Sequence, residues 1–239
     1  AWHRIENRDR PERDELIHAV EVILGRMEEN MKQTATGYLP AFRGADYAWP
    51  ASNLELARCL SEAAPKVNSP LADRMKRLAI QQDINFMKTP HKIDEGGGFA
   101  VTLHSETGEP RSRSMNKPYT VTWDTGYGFG THAGLANLCY QRYGQLFTAY
   151  PELAVQYREL ILSAASRYLT SSPDTTHQLK PDAFAAVIEL LINSYALSGE
   201  KRYLDRADWF AKQGISLFLN DGLPLPKATS QHNHYETIT

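Results

Sequence analysis

An all-α fold of antiparallel helical hairpins is predicted by three features of this 239-residue sequence. Four segments carry apolar side chains on one stripe at helical spacing, three more are apolar around most of their circumference, and the two kinds alternate along the chain. Links from an inner to an outer helix are tight, whereas links from an outer back to an inner helix are long. Successive antiparallel helices therefore put the short links at one end and the long links at the other.

Taken in order, residues 12–32 form the first outer helix, with Leu16, Val20, Ile23, Met27 and Met31 on its stripe. Residues 53–64 make a short inner helix. A tight link over residues 65–70 leads into the second outer helix, residues 70–88, through Leu71, Met75, Leu78 and Ala79; Pro70 suits its first turn. The linker of residues 89–130 holds two β-like runs, residues 96–103 and 119–123, around a turn at Thr107-Gly108-Glu109-Pro110, which predicts a small β-hairpin insertion near residues 96–123. Residues 132–147 form an inner helix with Arg142 as its charged residue. Pro151 opens the third outer helix, whose stripe is Leu153, Tyr157, Leu160, Ile161, Ala164 and Tyr168. Residues 183–197 are apolar nearly all round, so this inner helix is expected to be buried on every side. Gly199 is placed as a left-handed C-cap before the last outer helix, residues 200–219, striped by Tyr203, Ala207, Phe210, Gly214 and Phe218.

A chain this long with 42% hydrophobic side chains can bury a large core, and a single domain over residues 1–239 is expected. With 26 basic against 28 acidic side chains and no basic tract, nucleic acid and anionic membrane are excluded as expected partners. No apolar run approaches a membrane span, and no signal peptide is visible. Cys59 and Cys139 both fall in apolar helical segments and read as two buried thiols, with a disulfide between them as the alternative.

The stretch Tyr195-Ala-Leu-Ser-Gly-Glu-Lys-Arg-Tyr203-Leu-Asp-Arg-Ala207 resembles the inner-turn-outer junction of the α/α-toroid carbohydrate-active proteins, which include polysaccharide lyases and six-hairpin glycosidases. Together with the alternation of inner and outer helices, which covers nearly the whole chain, the resemblance implies an α/α toroid, complete or partial, with the long linkers at its mouth. The alternation calls for another inner helix after the terminal linker, so a fragment of a longer chain is expected.

Six of the eight histidines lie in the linkers that precede inner helices: His91, His104, His132, His177, His232 and His234. The last linker contains His232, Asn233, His234 and Tyr235. Histidine titrates near neutrality, tyrosine donates or accepts a proton, and asparagine hydrogen-bonds a carboxyl without adding charge. β-Elimination from a uronic acid needs such a set: one group to neutralise the carboxylate, a base for the C5 proton and an acid for the leaving oxygen. The set resembles the chemistry of the toroid polysaccharide lyases. No cofactor is called for, although His232 and His234 form a His-x-His pair that can bind a divalent cation with Glu236 or Asp221.

A second cluster runs Thr122-Trp123-Asp124-Thr125-Gly126-Tyr127-Gly128-Phe129-Gly130-Thr131-His132. Trp123 and Tyr127 offer flat faces for pyranose rings, His132 lies at the same helix entry, and Asp124 is the candidate general acid or base of a glycosidase, with Glu236 or Asp46 as second carboxylate. In a third, Arg43 can clamp a carboxylate and Trp49 can stack on sugar. Lys227 joins them as a cation in the last linker. Arg111, Arg113 and Lys117 read as a solvated basic turn that can meet an anionic glycan, and Asp174 and His177 as capping or surface residues.

The expected function is a polysaccharide lyase cleaving a uronate-containing, pectin-like glycan, with an acidic oligo- or polysaccharide as partner. A glycoside hydrolase and a non-catalytic glycan-binding domain are the alternatives. Secretion, or export to a periplasm, follows only from that substrate class.

Overall fold

The computed structural model describes residues 12–112, 117–123, 132–176, 178–219 and 226–231. Among them are seven α-helices: α1 (Glu12–Lys32), α2 (Pro50–Ala63), α3 (Ser69–Lys88), α4 (His132–Leu146), α5 (Pro151–Thr170), α6 (Pro181–Ser198) and α7 (Lys201–Phe218). Two short strands, β1 (Tyr47–Ala48) and β2 (Leu103–His104), form one antiparallel pair. The protein is therefore mostly helical, and the alternating periodicities predict its helices in order. The described chain divides into two compact units. One holds the residues through Pro90 together with Ala100–Tyr119; the other holds His91–Phe99 and the residues from Thr120 onward.

In the first unit, α2 and α3 pair as a hairpin and α1 lies against α3. Prolines stand in the first turns of both α2 and α3, and the Asn68 side chain accepts from the Leu71 amide at 3.1 Å to cap α3. Leu71, Met75, Leu78 and Ala79 are buried as their spacing predicts. The stripe of α1 is rotated from expectation: Ile17, Leu24 and Met31 face the core, Leu16, Val20 and Met27 flank them, and Ile23 is 50% exposed. A helix that meets its neighbour along one seam needs only a residue every two turns, so the neighbours of that seam are left half wet. Arg74 of α3 grips Glu28 of α1 with two hydrogen bonds, 2.7 and 2.6 Å long, and Glu28 is held below the usual carboxylate range by that contact.

The insertion is a small hairpin with a further partner. Ala100 bridges Tyr119, and Leu103 bridges Pro110. Around the turn at Thr107-Gly108, His104 N–H donates to Glu109 O at 2.9 Å and Arg111 N–H to Thr102 O at 3.0 Å, while Leu103–His104 also pairs with Tyr47–Ala48 from the first linker. Periodicity within one segment says nothing about which distant segment supplies its hydrogen bonds.

In the second unit, α4 packs on α5 and α6 on α7, with α6 also against α4 and α5. Pro151 and Pro181 open their helices, and Gly199 closes α6 at φ 72°, where a side chain would be strained. Tyr157, Ile161, Ala164, Tyr168, Leu190, Leu191 and Phe210 are fully enclosed. A buried polar stitch joins two helices: Asn137 of α4 donates to the Ala186 carbonyl at 2.9 Å and accepts from Asn193 at 3.2 Å. Contrary to the expectation for residues 183–197, α6 is not covered on every side, since Ile192 and Tyr195 are 46% and 39% exposed. Its neighbours among the described residues cover the opposite face, where Val187, Leu190, Leu191 and Ser194 are buried. The expectation of two buried thiols is also corrected: both cysteines are free, Cys139 is buried, and Cys59 is exposed on α2 beside Glu55. No helix among the described residues is long and apolar enough to cross a membrane.

Candidate functional site

The first linker of the first unit forms a strap, residues 33–49, tied at three points to the insertion. Ala35 N–H donates to Ser105 O at 3.0 Å, Ser105 N–H to Asp46 O at 2.8 Å, and β1 pairs with β2. Between these ties the strap folds back on itself, with Ala41 N–H donating to Tyr47 O at 2.9 Å and Ala45 N–H to Phe42 O at 3.0 Å. Phe42 and Arg43 thus stand exposed at the tip.

Three rings form a continuous edge-to-face row along this strap. Phe42 meets Tyr47 at 5.7 Å between centroids, and Tyr47 meets Trp49 at 5.6 Å. Tyr47 is 2% exposed, whereas Phe42 and Trp49 are 57% and 37% exposed, so a buried ring anchors two open ones. Arg111 lies with its guanidinium 5.9 Å from the Tyr47 ring centre and donates to Asp46 Oδ2 at 2.7 Å. That hydrogen bond, reinforced by the guanidinium charge, holds the Asp46 carboxyl below its usual range. Asp46 is consequently ionised near neutrality and unsuited to donating a proton as a general acid. Arg43, by contrast, has no ion-pair partner among the described residues.

Asn53 fixes the geometry. It is 3% exposed, accepts from Leu39 N–H at 2.7 Å, and donates from Nδ2 to Leu39 O and Trp49 O, each at 3.1 Å. It ties the middle of the strap at Leu39 to its end at Trp49, one helical turn before Asn53. The sequence singles out neither Asn53 nor the ring row. Tyr47 and Trp49 at i and i+2 on an extended segment do share a side, which is the signal for the row.

The same strap and the turn at Thr107-Gly108 enclose, with the C-terminal part of α3, a cavity of about 410 Å³. Its floor is pinned. The Gly37 carbonyl accepts from Asn85 Nδ2 at 3.0 Å and Gln82 Nε2 at 3.3 Å, while the Tyr38 hydroxyl meets Thr89 Oγ1 at 2.8 Å. Gly37 adopts φ 67°, and a Cβ there would stand 2.8 Å from Asn85 Nδ2, so the position admits only glycine without rearrangement.

In the second unit, the ends of three long linkers gather together. Trp123 donates from its indole to Ser171 Oγ at 2.7 Å, Tyr168 hydroxyl donates to Thr122 O at 2.9 Å, and residues 226–231 bond back to the segment before α6, with Ser230 N–H on Leu179 O at 2.8 Å. The predicted ligands here are used inside the protein. Trp123 sits within 5.4–5.8 Å of the rings of Tyr168, Phe184 and Phe210. His132 is fully buried against Phe99 and Tyr168, with Nδ1 3.1 Å from Thr120 Oγ1, and burial pushes its pKa down to about 3. As described, it is a neutral core side chain with no face open to a substrate. Asp174 accepts from Thr176 N–H at 2.9 Å in a local turn, its expected structural role. Lys227 is half-buried, and its backbone amide donates to Phe218 O at 2.9 Å.

Asp124, Tyr127, Arg113, His177, Asp221, His232, Asn233, His234, Tyr235 and Glu236 lie outside the described residues. Among the described residues no group of three His, Cys, Asp or Glu side chains can hold a metal ion. In comparisons with known protein families and with curated proteins, nothing matches this chain.

Proposed function

We propose that this chain is a carbohydrate-active protein of the α/α-toroid type that binds an acidic, uronate-containing glycan along the strap of its first unit and cleaves it by β-elimination. The observation that carries the reading is the row Phe42–Tyr47–Trp49 with Arg43 beside it. Two exposed rings on a buried, rigid anchor suit the flat apolar faces of pyranose units, and a guanidinium without a protein carboxylate suits a uronate carboxyl. Arg111 is the second cation of this surface, oriented by Asp46.

The elimination half rests on residue types in the sequence. His234 or His232 would take the C5 proton, Asn233 would hydrogen-bond the carboxyl, and Tyr235 would protonate the leaving oxygen as the C4–O bond breaks and a C4–C5 double bond forms. Export from the cell follows from the size of a polymeric substrate. A non-catalytic glycan-binding role is the second reading, favoured by the fact that the strap offers groups that bind while its single carboxylate, Asp46, is held ionised by Arg111.

Titration with polygalacturonate, followed by the absorbance of unsaturated product, tests both. Wild type should bind and generate the chromophore. Trp49→Ala and Arg43→Ala should each weaken binding about tenfold or more, and Tyr235→Phe should abolish product while binding persists. Reducing ends that depend on Asp124 and appear without the chromophore would mark a hydrolase. Binding with neither signal would mark a binding module, and no affinity at all would sink the reading.

A further inference from the structure

The cavity bounded by the strap differs in its lining from the ring row. Among the described residues its lining contains hydroxyls, amides and one ammonium, and no carboxylate. At about 410 Å³ it falls within the size range of small-molecule pockets, roughly 300–1,000 Å³, and beside Leu103, Pro90 and Ala35 its lining is more polar than such pockets usually are. A polar molecule is therefore its natural occupant.

The polar groups divide into two sets. Asn85, Thr89, Thr34 and the Gly37 carbonyl are bonded to one another and to the protein, which makes the floor rigid before any ligand arrives. The rim groups retain capacity. Thr36 Oγ1 accepts from Tyr38 N–H and Thr107 Oγ1 from Glu109 N–H, each at 3.3 Å, and among the described residues neither hydroxyl proton has an acceptor. Gln81 donates to Asn85 Oδ1 at 3.0 Å and keeps its own carbonyl oxygen. Lys88 is exposed at the end of α3 with no ion-pair partner among the described residues.

We infer that this cavity binds a single sugar acid: a small molecule with several hydroxyls and one carboxylate. The rim hydroxyls and the Gln81 carbonyl match ligand hydroxyls in both senses of donation, and the Lys88 ammonium matches one negative charge. A divalent cation finds no carboxylate here. A phosphate dianion finds one cation where it favours several. The inference rests on the cavity's own lining, and holds whether or not a polymer binds the strap.

The experiment is calorimetric titration of the whole chain with D-galacturonate, D-galactose and inorganic phosphate. Galacturonate should bind, galactose about tenfold more weakly for want of the charge-assisted contact, and phosphate not measurably. Lys88→Gln, a change at an exposed position, should bring galacturonate down to the affinity of galactose and leave galactose unchanged. Ala35→Trp, which fills the mouth from an exposed strap position, should abolish both with an unchanged thermal melt. Trp49→Ala should leave monomer binding intact while weakening the polymer, which separates this site from the strap. Absence of galacturonate binding, phosphate binding more tightly than galacturonate, or galacturonate affinity unaltered in Lys88→Gln or Ala35→Trp would each overturn the assignment.

Discussion

The long linkers of the two units draw on the same residue types and put them to opposite uses. In the first unit Trp49 and Phe42 stand open beside an arginine without a carboxylate. In the second, Trp123 is hemmed in by three rings with its indole N–H already bonded, and the linker's Ser171 carbonyl and the Tyr168 carbonyl before it accept from Arg206 of helix α7. The cause lies in what each linker lands on. Helices α5, α6 and α7 present Tyr168, Phe184 and Phe210, large rings among which a tryptophan completes a core. The strap of the first unit instead pairs with β2 through Tyr47 and Ala48, which are both buried, and leaves Phe42 and Trp49, outside that pair, open. Aromatic content in a loop is thus no signature of binding; a ring's exposure and unused polar groups beside it are.

The comparison is broken or upheld most sharply by matched tryptophan deletions. Trp123→Ala would leave a void among three rings and strip Ser171 of its donor, costing about 3 kcal/mol of stability. Trp49→Ala, at a surface position, should cost under about 1 kcal/mol and act on glycan affinity instead. Denaturant unfolding of both variants beside polymer titration reads the two effects. Equal destabilisation would mean that Trp49 is also core.

Acid should distinguish the units next. His132 is buried neutral in the second unit, with its folded pKa near 3 against 6.5 when exposed. Between those values the unfolded chain binds the extra proton, so stability is complete above pH 6.5 and declines as pH falls through the window. The limiting slope is about 1.4 kcal/mol per pH unit. His132→Phe keeps a ring against Phe99 and removes the titration. Its stability should be flat from pH 6.5 to 5 where wild type declines, as measured by unfolding at several pH values and by hydrogen exchange along α4. A wild-type profile equally flat would show that the site opens to water and that His132 is not core.

What could be read in advance follows the same physical division. Helix existence and order were legible because one stripe of apolar residues suffices to specify a helix, and Pro70, Pro151 and Gly199 mark ends by local geometry alone. Facing was less legible: Ile23 and Ile192 are apolar yet exposed, since which side meets a neighbour depends on the neighbour. Of the candidate ligands chosen by residue type, Arg43 and Trp49 are exposed, whereas Trp123 and His132 carry the same signature and serve packing. Asn53, the cavity and the pairing of Arg111 with Asp46 were not legible, because each depends on contacts between residues far apart in sequence or on carbonyls that carry no identity.

The smallest expected effect tests a partly wet contact in the first unit, between α1 and α3, against the dry burial of His132 in the second. Arg74 and Glu28 are 27% and 30% exposed, and their paired hydrogen bonds join α1 to α3. The folded pKa of Glu28 is depressed from 4.5, so the contact's contribution is present above pH 4.5 and is lost as pH falls through the lower folded value. Solvent screening limits it to about 0.5–1 kcal/mol. Glu28→Gln should remove that amount at neutral pH, with the deficit shrinking in high salt and in strong acid, because there the wild-type pair is weakened too. Hydrogen exchange along α1 should report the loss while α4 is unmoved. A deficit unaltered by salt would place the ion pair in the dry interior and erase its contrast with the buried His132.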